Sequence, residues 1–356
     1  MREFKNILVT GGSGFIGSNF IHYLFEKAEF SGKVINVDCL TYAGNPNNLT
    51  KIDEIYGNNH YYFFKENINN IEAIEKIFHQ FEIDCVVHFA AESHVDRSIF
   101  GPKDFIETNI VGTFNLLEVA RKCWGNRQDV LFHHISTDEV YGSLGESGFF
   151  YETTPYNPRS PYSSSKAASD HLVAAYFHTY KLPATISNCS NNYGAYQFPE
   201  KLIPLMIMNI LEEKQLPVYG DGKNVRDWLF VEDHCSAIWK IVKNGKIGDT
   251  YNIGGENEWE NIKLVNYLCE RVAFFSGKAP NEVKKLINYV KDRPGHDKRY
   301  AINCDKIKNE LKWKQSVTFE KGLDETIKWY LNNSEWIKNI RSGDYLRWIN
   351  QNYGSR

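Results

Sequence analysis

The chain has 356 residues, 42% hydrophobic and 24% charged, which is ordinary globular usage and excludes disordered and fibrous classes. Lys plus Arg number 41 against 44 Asp plus Glu, a net charge of −3, so the balance marks no nucleic-acid or anionic-membrane partner. At about 150 residues per domain, this length accommodates two domains or one large α/β unit with an insertion.

The first half alternates short β-rich runs with longer amphipathic stretches. Strands are expected at Asn6–Thr10, Val34–Asp38, Tyr61–Lys65, Cys85–Ala90, Val130–Ser136 and Ala184–Asn188. Helices are expected at Ile16–Phe25, Ile71–Phe81, Ile106–Cys123 and Ser163–Tyr180. This alternation is the signature of βαβ units. Runs such as Val86–Ala90 and Val130–Ile135 are apolar on both faces, as a sheet covered on each side by helices requires. After about Asn188 the alternation fades, and Gly194, Pro199, Pro204, Pro217 and Gly220-Asp221-Gly222 punctuate the chain. Helical patterns return at Asn261–Phe275 and Phe319–Leu331. The expected fold class is therefore α/β, a Rossmann-type doubly wound parallel sheet with a smaller α/β carboxy-terminal domain. Residues 1–190 would bind a dinucleotide, completed by a segment near 225–250, and residues 191–356 would mainly bind substrate. With no Ser/Gly-rich linker, the two parts are expected to pack closely around a cleft.

The longest apolar run, Leu202–Met208, is too short to span a bilayer. Met1 leads into strand-like sequence without an apolar leader, so a soluble, cytoplasmic protein with no membrane partner is expected. Seven scattered cysteines, odd in number and never spaced as CxxC, argue against a disulfide framework and against a bound metal. Adjacent His133 and His134 would point to opposite faces of a strand and, lacking ligand spacing, read as structural.

Strand Asn6–Thr10 runs into Gly11-Gly12-Ser13-Gly14-Phe15-Ile16-Gly17 and then a helical pattern. Glycines here allow a tight turn, let backbone approach a pyrophosphate, and bring helix against strand. The second strand ends at Asp38, about 20 residues on, where a carboxylate can bind ribose hydroxyls and repel a 2′-phosphate. That context favours NAD over NADP. A bland glycine turn is the competing reading, and alone the motif would not exclude it.

Tyr162-Ser-Ser-Ser-Lys166 lies early in a helix that Pro161 would begin well. The i,i+4 spacing puts phenol and ammonium on one face. A neighbouring Lys⁺, together with the positive nicotinamide, is expected to lower the Tyr pKa toward working pH, making the phenolate a base. YxxxK alone occurs by chance in many helices, but here it follows a dinucleotide loop by about 150 residues.

With the glycine loop, Asp38, Phe89-Ala90-Ala91-Glu92-Ser93 and YxxxK, the chain resembles the extended short-chain dehydrogenase/reductases that act on nucleotide sugars. Within them it resembles the 4,6-dehydratase branch. The matching segments are Asp38–Asn45, Ala90–Ile99, Ser136–Gly142, Ser190–Pro204, Val218–His234 and Asp292–Ile302, which span nearly the whole chain. Discrimination within the family rests on Thr137-Asp138-Glu139, at the carboxyl end of a strand, where ligand crevices form. Adjacent acids after a strand are often a solvated turn. Eliminating water from a 4-keto sugar, however, needs an acid and a base on neighbouring carbons. By the resemblance, related epimerases carry uncharged residues at these two positions, and sugar-nucleotide decarboxylases and GDP-mannose dehydratases keep the equivalent of Glu139 with Ser before it.

The resemblance implies a mechanism on dTDP-glucose with retained NAD. Tyr162, helped by Thr137, takes the 4-hydroxyl proton as hydride leaves carbon 4. Glu139 then removes the carbon-5 proton while Asp138 protonates the departing 6-hydroxyl, and hydride returns to carbon 6. The product would be dTDP-4-keto-6-deoxyglucose, a deoxysugar precursor. NAD contacts implied are Gly11, Gly14, Phe15, Ile16, Gly17, Asp38, Cys39, Leu40 and Thr41. Further along they continue with Asn67, Ile68, Phe89, Ala90, Ala91, Ser93, Thr108, Tyr162, Lys166 and Asn192. Substrate contacts implied are Ser93, Thr137, Asn191, Lys201, Leu202 and Pro217, followed by Tyr219, Arg226, Asn261, Arg293, His296 and Tyr353. Arg suits a diphosphate because its planar fork binds two oxygens. Helices Ile106–Cys123 and Ser163–Tyr180 resemble those that pair two subunits into a homodimer in this family.

Three positions depart from the family pattern: Ser13 for Ala, Asn67 for Asp, and Ala195 for Pro. Two other readings stay open. One keeps the fold as a UDP-sugar 4-epimerase or decarboxylase, or a dehydratase of another nucleotide-glucose. The other is a NAD-sensing regulator without turnover.

Overall fold

The computed structural model describes residues 1–292 and 296–340. Its strands are, in chain order, β1 Asn6–Thr10, β2 Lys33–Asp38, β3 Tyr61–Lys65, β4 Cys85–His88, β5 Leu131–Thr137 and β6 Ala184–Cys189. They continue with β7 Asn191–Tyr193, β8 Leu216–Tyr219, β9 Val225–Phe230, β10 Thr250–Ile253, β11 Glu258–Glu260 and β12 Ile287–Val290. Seven of them form one parallel sheet in the order β10-β6-β5-β4-β1-β2-β3. The chain reverses its direction of winding between β1 and β4, which opens a crevice at the carboxyl ends of these two strands. Register sets those ends level, with Thr10 opposite both Val37 and His88.

Strand β5 is buried along its whole length, as its two-sided apolar pattern requires. Two of the histidines inside the sheet, His88 and His133, are satisfied by hydroxyls. His88 lies 2.7 Å from Thr10 Oγ1 and 3.0 Å from Thr113 Oγ1, and His133 lies 2.9 Å from Thr185 Oγ1 and 3.2 Å from Ser187 Oγ. Burial holds both rings neutral.

Helix Pro161–Tyr180 begins at a capping box, with the Ser160 hydroxyl accepting from Ser163 N and Ser163 Oγ from Ser160 N. Pro161 follows at N1, where its missing N–H costs nothing. The expected helix at Ile106–Cys123 is helical but not uniformly α. Residues Ile106–Gly112 form a π segment, and Thr113 Oγ1 donates to the Asn109 carbonyl at 2.6 Å. Such widened turns recur at functional sites. Here the turn presents Asn109, whose amide donates to Glu92 O and to Ser165 Oγ.

The sheet is completed from the second half of the chain. Helix Val231–Asn244 packs on helix Phe15–Glu26, and β10 pairs with β6, Tyr251 opposite Ser187. At four residues β10 is too short to show a period in the sequence. A separate apolar cluster lies in the carboxy-terminal part, where Ile207, Leu264, Leu268, Leu323 and Ile327 are fully enclosed. Helices Leu202–Leu211, Asn261–Ser276 and Phe319–Asn332 supply it.

Ile253 is wholly buried in the core of the large sheet although it arrives from far along the chain. Ile253→Ala is expected to cost about 2–5 kcal/mol. A lower guanidinium unfolding midpoint measures it; an unchanged midpoint would mean that β10 is not integral to the sheet.

Candidate active site

The crevice holds a ligand-sized cleft of about 330 Å³. Gly11 has φ +69°, and a Cβ there would come within 2.6 Å of Ala90 N. A Cβ on Gly17 would meet Gly11 O at 2.3 Å, so these two positions exclude any side chain. At Gly14 a Cβ would touch only Gly11 O, at 3.3 Å. The first turn of the twelve-residue helix Phe15–Glu26 therefore opens on the cleft, presenting its N–H groups and positive dipole end. This is a cradle fitted to a dinucleotide's pyrophosphate.

The Asp38 carboxylate braces the loop, with Oδ2 accepting from Ser13 N at 3.0 Å and Oδ1 from Leu40 N at 2.8 Å. It also lines the cleft, as do Gly11, Gly14, Phe15, Ile16, Gly17, Cys39 and Thr41. Leu40 does not; at φ +55° it turns the chain and gives its N–H to Asp38. Asn67, Ile68, Phe89, Ala90, Ala91, Ser93 and Thr108 complete this wall.

Thr137, Glu139, Tyr162 and Lys166 line the inner end of the same cleft. Lys166 Nζ donates to Ile135 O at 2.7 Å and lies 3.3 Å from His134 Nε2. Burial lowers the ammonium to about 8. Of the two charges expected to lower the Tyr162 phenol the protein itself supplies only Lys166, and its other nearby charges act in the opposite direction. Burial first, then the Glu139 and Asp138 carboxyls, push it well up, and only the Thr137 hydroxyl opposes them. Asp138 sits behind the wall rather than in it, with 2% exposure. Burial, then Glu139 and Asp227, hold its carboxyl far above the usual range, against the pull of Arg226. One oxygen accepts from Thr137 Oγ1 at 3.3 Å, and Oδ2 has no hydrogen-bond partner among the described residues.

A second cavity adjoins the first and shares Glu139, Asn191, Asn192, Gln197, Glu200 and Lys201 with it. Leu202, Pro217, Tyr219, Arg226, Asn261 and His296 line its far side. The Arg226 guanidinium is braced by Val225 O at 2.7 Å and Asp297 O at 2.9 Å and stacks 4.3 Å from the Tyr300 ring. Asn261 Oδ1 is buried without a partner among the described residues, a polar atom left for a ligand. Lys201 Nζ donates to Ser93 O at 3.1 Å, which ties the two cavities together. Arg293 and Tyr353 lie outside the described residues.

A family model described as GDP-mannose 4,6 dehydratase matches residues 8–326. A dTDP-glucose 4,6-dehydratase of Salmonella typhimurium is 52% identical, over 98% of this chain and 99% of its own. The chain belongs to the dTDP-glucose 4,6-dehydratase family. Two solved structures of that family agree. The enzyme of Bacillus anthracis in complex with NAD is 49% identical with a TM-score of 0.84, covering 95% of this chain and 100% of that one. The enzyme of Streptomyces venezuelae with NAD bound is 42% identical with a TM-score of 0.87, covering 94% and 100%.

Against the dTDP-glucose 4,6-dehydratase pattern, the three departures have local explanations. Asn67 Oδ1 accepts from Asn69 N at 2.9 Å, so the side chain closes its own turn. Ala195 O accepts from Asn19 Nδ2 at 3.0 Å, which ties that loop to the first helix without a proline. Ser13 is fully enclosed, its hydroxyl accepting from Asn36 Nδ2.

Sequence reasoning missed Glu92, Gln197 and Glu200 as cavity walls. Glu200 accepts from the Tyr42 hydroxyl at 3.0 Å and from Arg97 Nε at 3.1 Å. Both acids lie inside segments that carried the resemblance, beside Ser93 and Lys201, so position was the available signal. Burial raises the Glu92 carboxyl to about 7, with Arg97 opposing and Glu200 adding to the rise. A carboxyl raised in the folded state takes up protons there before the unfolded chain does. Its contribution to stability is therefore present below about pH 4.5 and lost as pH rises to about 7. Glu92→Gln is expected to remove that decline, measured as a flatter unfolding midpoint between pH 4.5 and 7; an unchanged slope would exclude the assignment.

Proposed function

We propose that this chain dehydrates dTDP-glucose to dTDP-4-keto-6-deoxyglucose by oxidation at carbon 4, loss of water across carbons 5 and 6, and reduction at carbon 6. The observation that carries this reading is Glu139 open to both cavities, with Asp138 next to it in the chain, held protonated by burial just behind the shared wall. Two carboxyls whose environments separate their roles suit elimination, which needs an acid and a base at once. Oxidation alone, or epimerisation, makes no use of Asp138.

The glycine cradle, Asp38, Asn67 and the Phe89–Ser93 wall would hold NAD, which when bound supplies a hydride acceptor at the sugar and later the hydride donor. The Asp38 carboxylate disfavours a 2′-phosphate at that position. Tyr162 takes the proton of the 4-hydroxyl, with Thr137 orienting both. Lys166⁺ and the positive nicotinamide would supply the charge that makes the phenolate accessible, against the burial that raises it. The resulting ketone acidifies carbon 5, Glu139 removes that proton, and Asp138 gives its own to the leaving 6-hydroxyl. Arg226, Lys201 and Asn261 would bind the substrate's diphosphate, from the far cavity. Because the redox change cancels, the cofactor stays bound through turnover.

The division of the chain follows the same reading: residues 1–190, completed from 225–250, hold the cofactor, and 191–356 mainly the sugar nucleotide. Exposed Phe100, Ile106, Phe114 and Tyr180 on the helices flanking β4 and β6 support a homodimer through that face. All seven cysteines are free, which supports a reducing compartment such as the cytoplasm.

Incubating the purified protein with dTDP-glucose and no added NAD should yield a product lighter by one water, with no net NADH. Unchanged mass with dTDP-, UDP- and CDP-glucose, even after adding NAD, would overturn the assignment. An isomer of unchanged mass would mark an epimerase. Asp138→Asn and Glu139→Gln should each lower kcat by about 10²–10⁴ while NAD binding persists; unchanged turnover would remove both residues from the chemistry.

A further inference from the structure

Tyr162, Lys166 and Asp170 stand at i, i+4 and i+8 on helix Pro161–Tyr180, so they rise along one face, and the helix packs on β5. All three are enclosed, at 8%, 4% and 2% exposure. The first two belong to the proposed chemistry; Asp170 has no part in it. Its Oδ2 accepts from Ser136 Oγ at 2.7 Å and from the Tyr156 hydroxyl at 3.0 Å. Its Oδ1 lies 3.2 Å from His134 Nε2, the same nitrogen that lies 3.3 Å from Lys166 Nζ. One imidazole edge therefore stands between a buried ammonium and a buried carboxylate.

We infer that Asp170 is the buried counter-ion of Lys166, a positioning residue that keeps the ammonium charged from behind the neutral ring of His134. The inference rests on the proposed pairing of Tyr162 with Lys166. An ammonium taken out of water is stable only beside an opposite charge. The titratable groups around the pair are His88 on β4, His134 on β5, Tyr141 in the turn after β5 with its phenol kept protonated by burial, Cys189 on β6, Tyr156 from the preceding loop, Tyr162, and His171 next in chain to Asp170. Burial and the ammonium itself keep His88 and His134 neutral. Burial likewise keeps the Cys189 thiol protonated, up to about 12, and the Tyr156 and Tyr162 phenols protonated. Asp170 thus supplies the charge. It is the leading influence opposing the fall of Lys166 to about 8, and Lys166 is the leading influence opposing the rise of Asp170 to about 6. Between those values both members carry their charge.

The sign of the effect follows. Without the carboxylate, Lys166 loses its proton at lower pH, and Tyr162 loses the neighbouring charge that favours its phenolate. Asp170→Asn keeps the size of the side chain and an acceptor for Ser136 and Tyr156. In the holoenzyme, the basic limb of the kcat–pH profile should move down by about one unit. At pH 8 this is roughly a fivefold loss, growing toward tenfold at higher pH, with little change near pH 6.5. Asp170→Glu should restore most of the limb. In protein carrying 13C-lysine, the titration of the Lys166 ε-carbon should move with it, a readout that does not depend on turnover. A uniform loss across pH, with the lysine titration unmoved, would overturn the inference and leave Asp170 a structural residue. Should the Asn variant not fold, the wild type carrying 13C-lysine still tests the point: the Lys166 ε-carbon should show a second, smaller step near pH 6 as Asp170 takes up its proton; a curve with no such step would count equally against it. Failure of the wild type to dehydrate any nucleotide-glucose would overturn the proposed function instead, and the lysine titration would still decide this point.

Discussion

Ionisable groups buried where parallel strands end are the constraint on which this molecule is built. Lys166, Asp138, Asp170 and Asp227 are each 4% exposed or less, and all four cluster near the carboxyl ends of β5 and β6 or the start of β9. Such burial is costly, and the surrounding fold answers it with paired charges, hydroxyl donors and neutral imidazoles. Asp227, for example, accepts backbone N–H bonds from Gly255 and Asn257 at 2.8 and 2.7 Å. The dry setting is also what gives neighbouring carboxyls different proton affinities, the property an elimination site requires.

That setting is shared between distant parts of the chain. The sheet region supplies Thr137, Glu139 and the helix bearing Tyr162, while the second cavity is walled by residues from 191 to 300 together with His94, Val95, Asp96 and Glu139. Lys201 reaching Ser93, and Tyr42 and Arg97 meeting on Glu200, fasten the two regions around the cleft. The Tyr42 ring lies under the Arg97 guanidinium at 3.6 Å, so an aromatic contact reinforces the ionic one. Rigidity there serves a reaction that must hold one sugar through several steps without admitting water.

The sheet strands and four long helical stretches expected in the first half were legible to within two residues, because each carries its own period and punctuation, whereas the short helices Thr50–Tyr56 and Val95–Phe100 were not foreseen. Strands β1 and β3 and helix Ile71–Phe81 coincide with the expected bounds. The second half was harder to read. Strands of three or four residues, such as β7, β10 and β11, hold too few side chains to display alternation. The π segment at Ile106–Gly112 likewise left no trace in the sequence, since its residues still follow a helical pattern. Among site residues, glycines and the YxxxK pair were visible because backbone geometry demands them. Glu92 and Glu200 were not, because an acid in a loop shows its burial only when other segments close over it.

Sequence alone determined the alternating architecture, the glycine cradle, and the types and spacing of the reacting groups, since these are properties of contiguous chain. Tertiary structure decided the electrostatics. It enclosed Asp138 behind the cleft wall with one oxygen unpartnered among the described residues, left Glu139 facing both cavities, and set burial and two carboxyls against ionisation of the Tyr162 phenol. Proton affinity depends on desolvation and on charges brought near from elsewhere, and neither exists until the chain has folded.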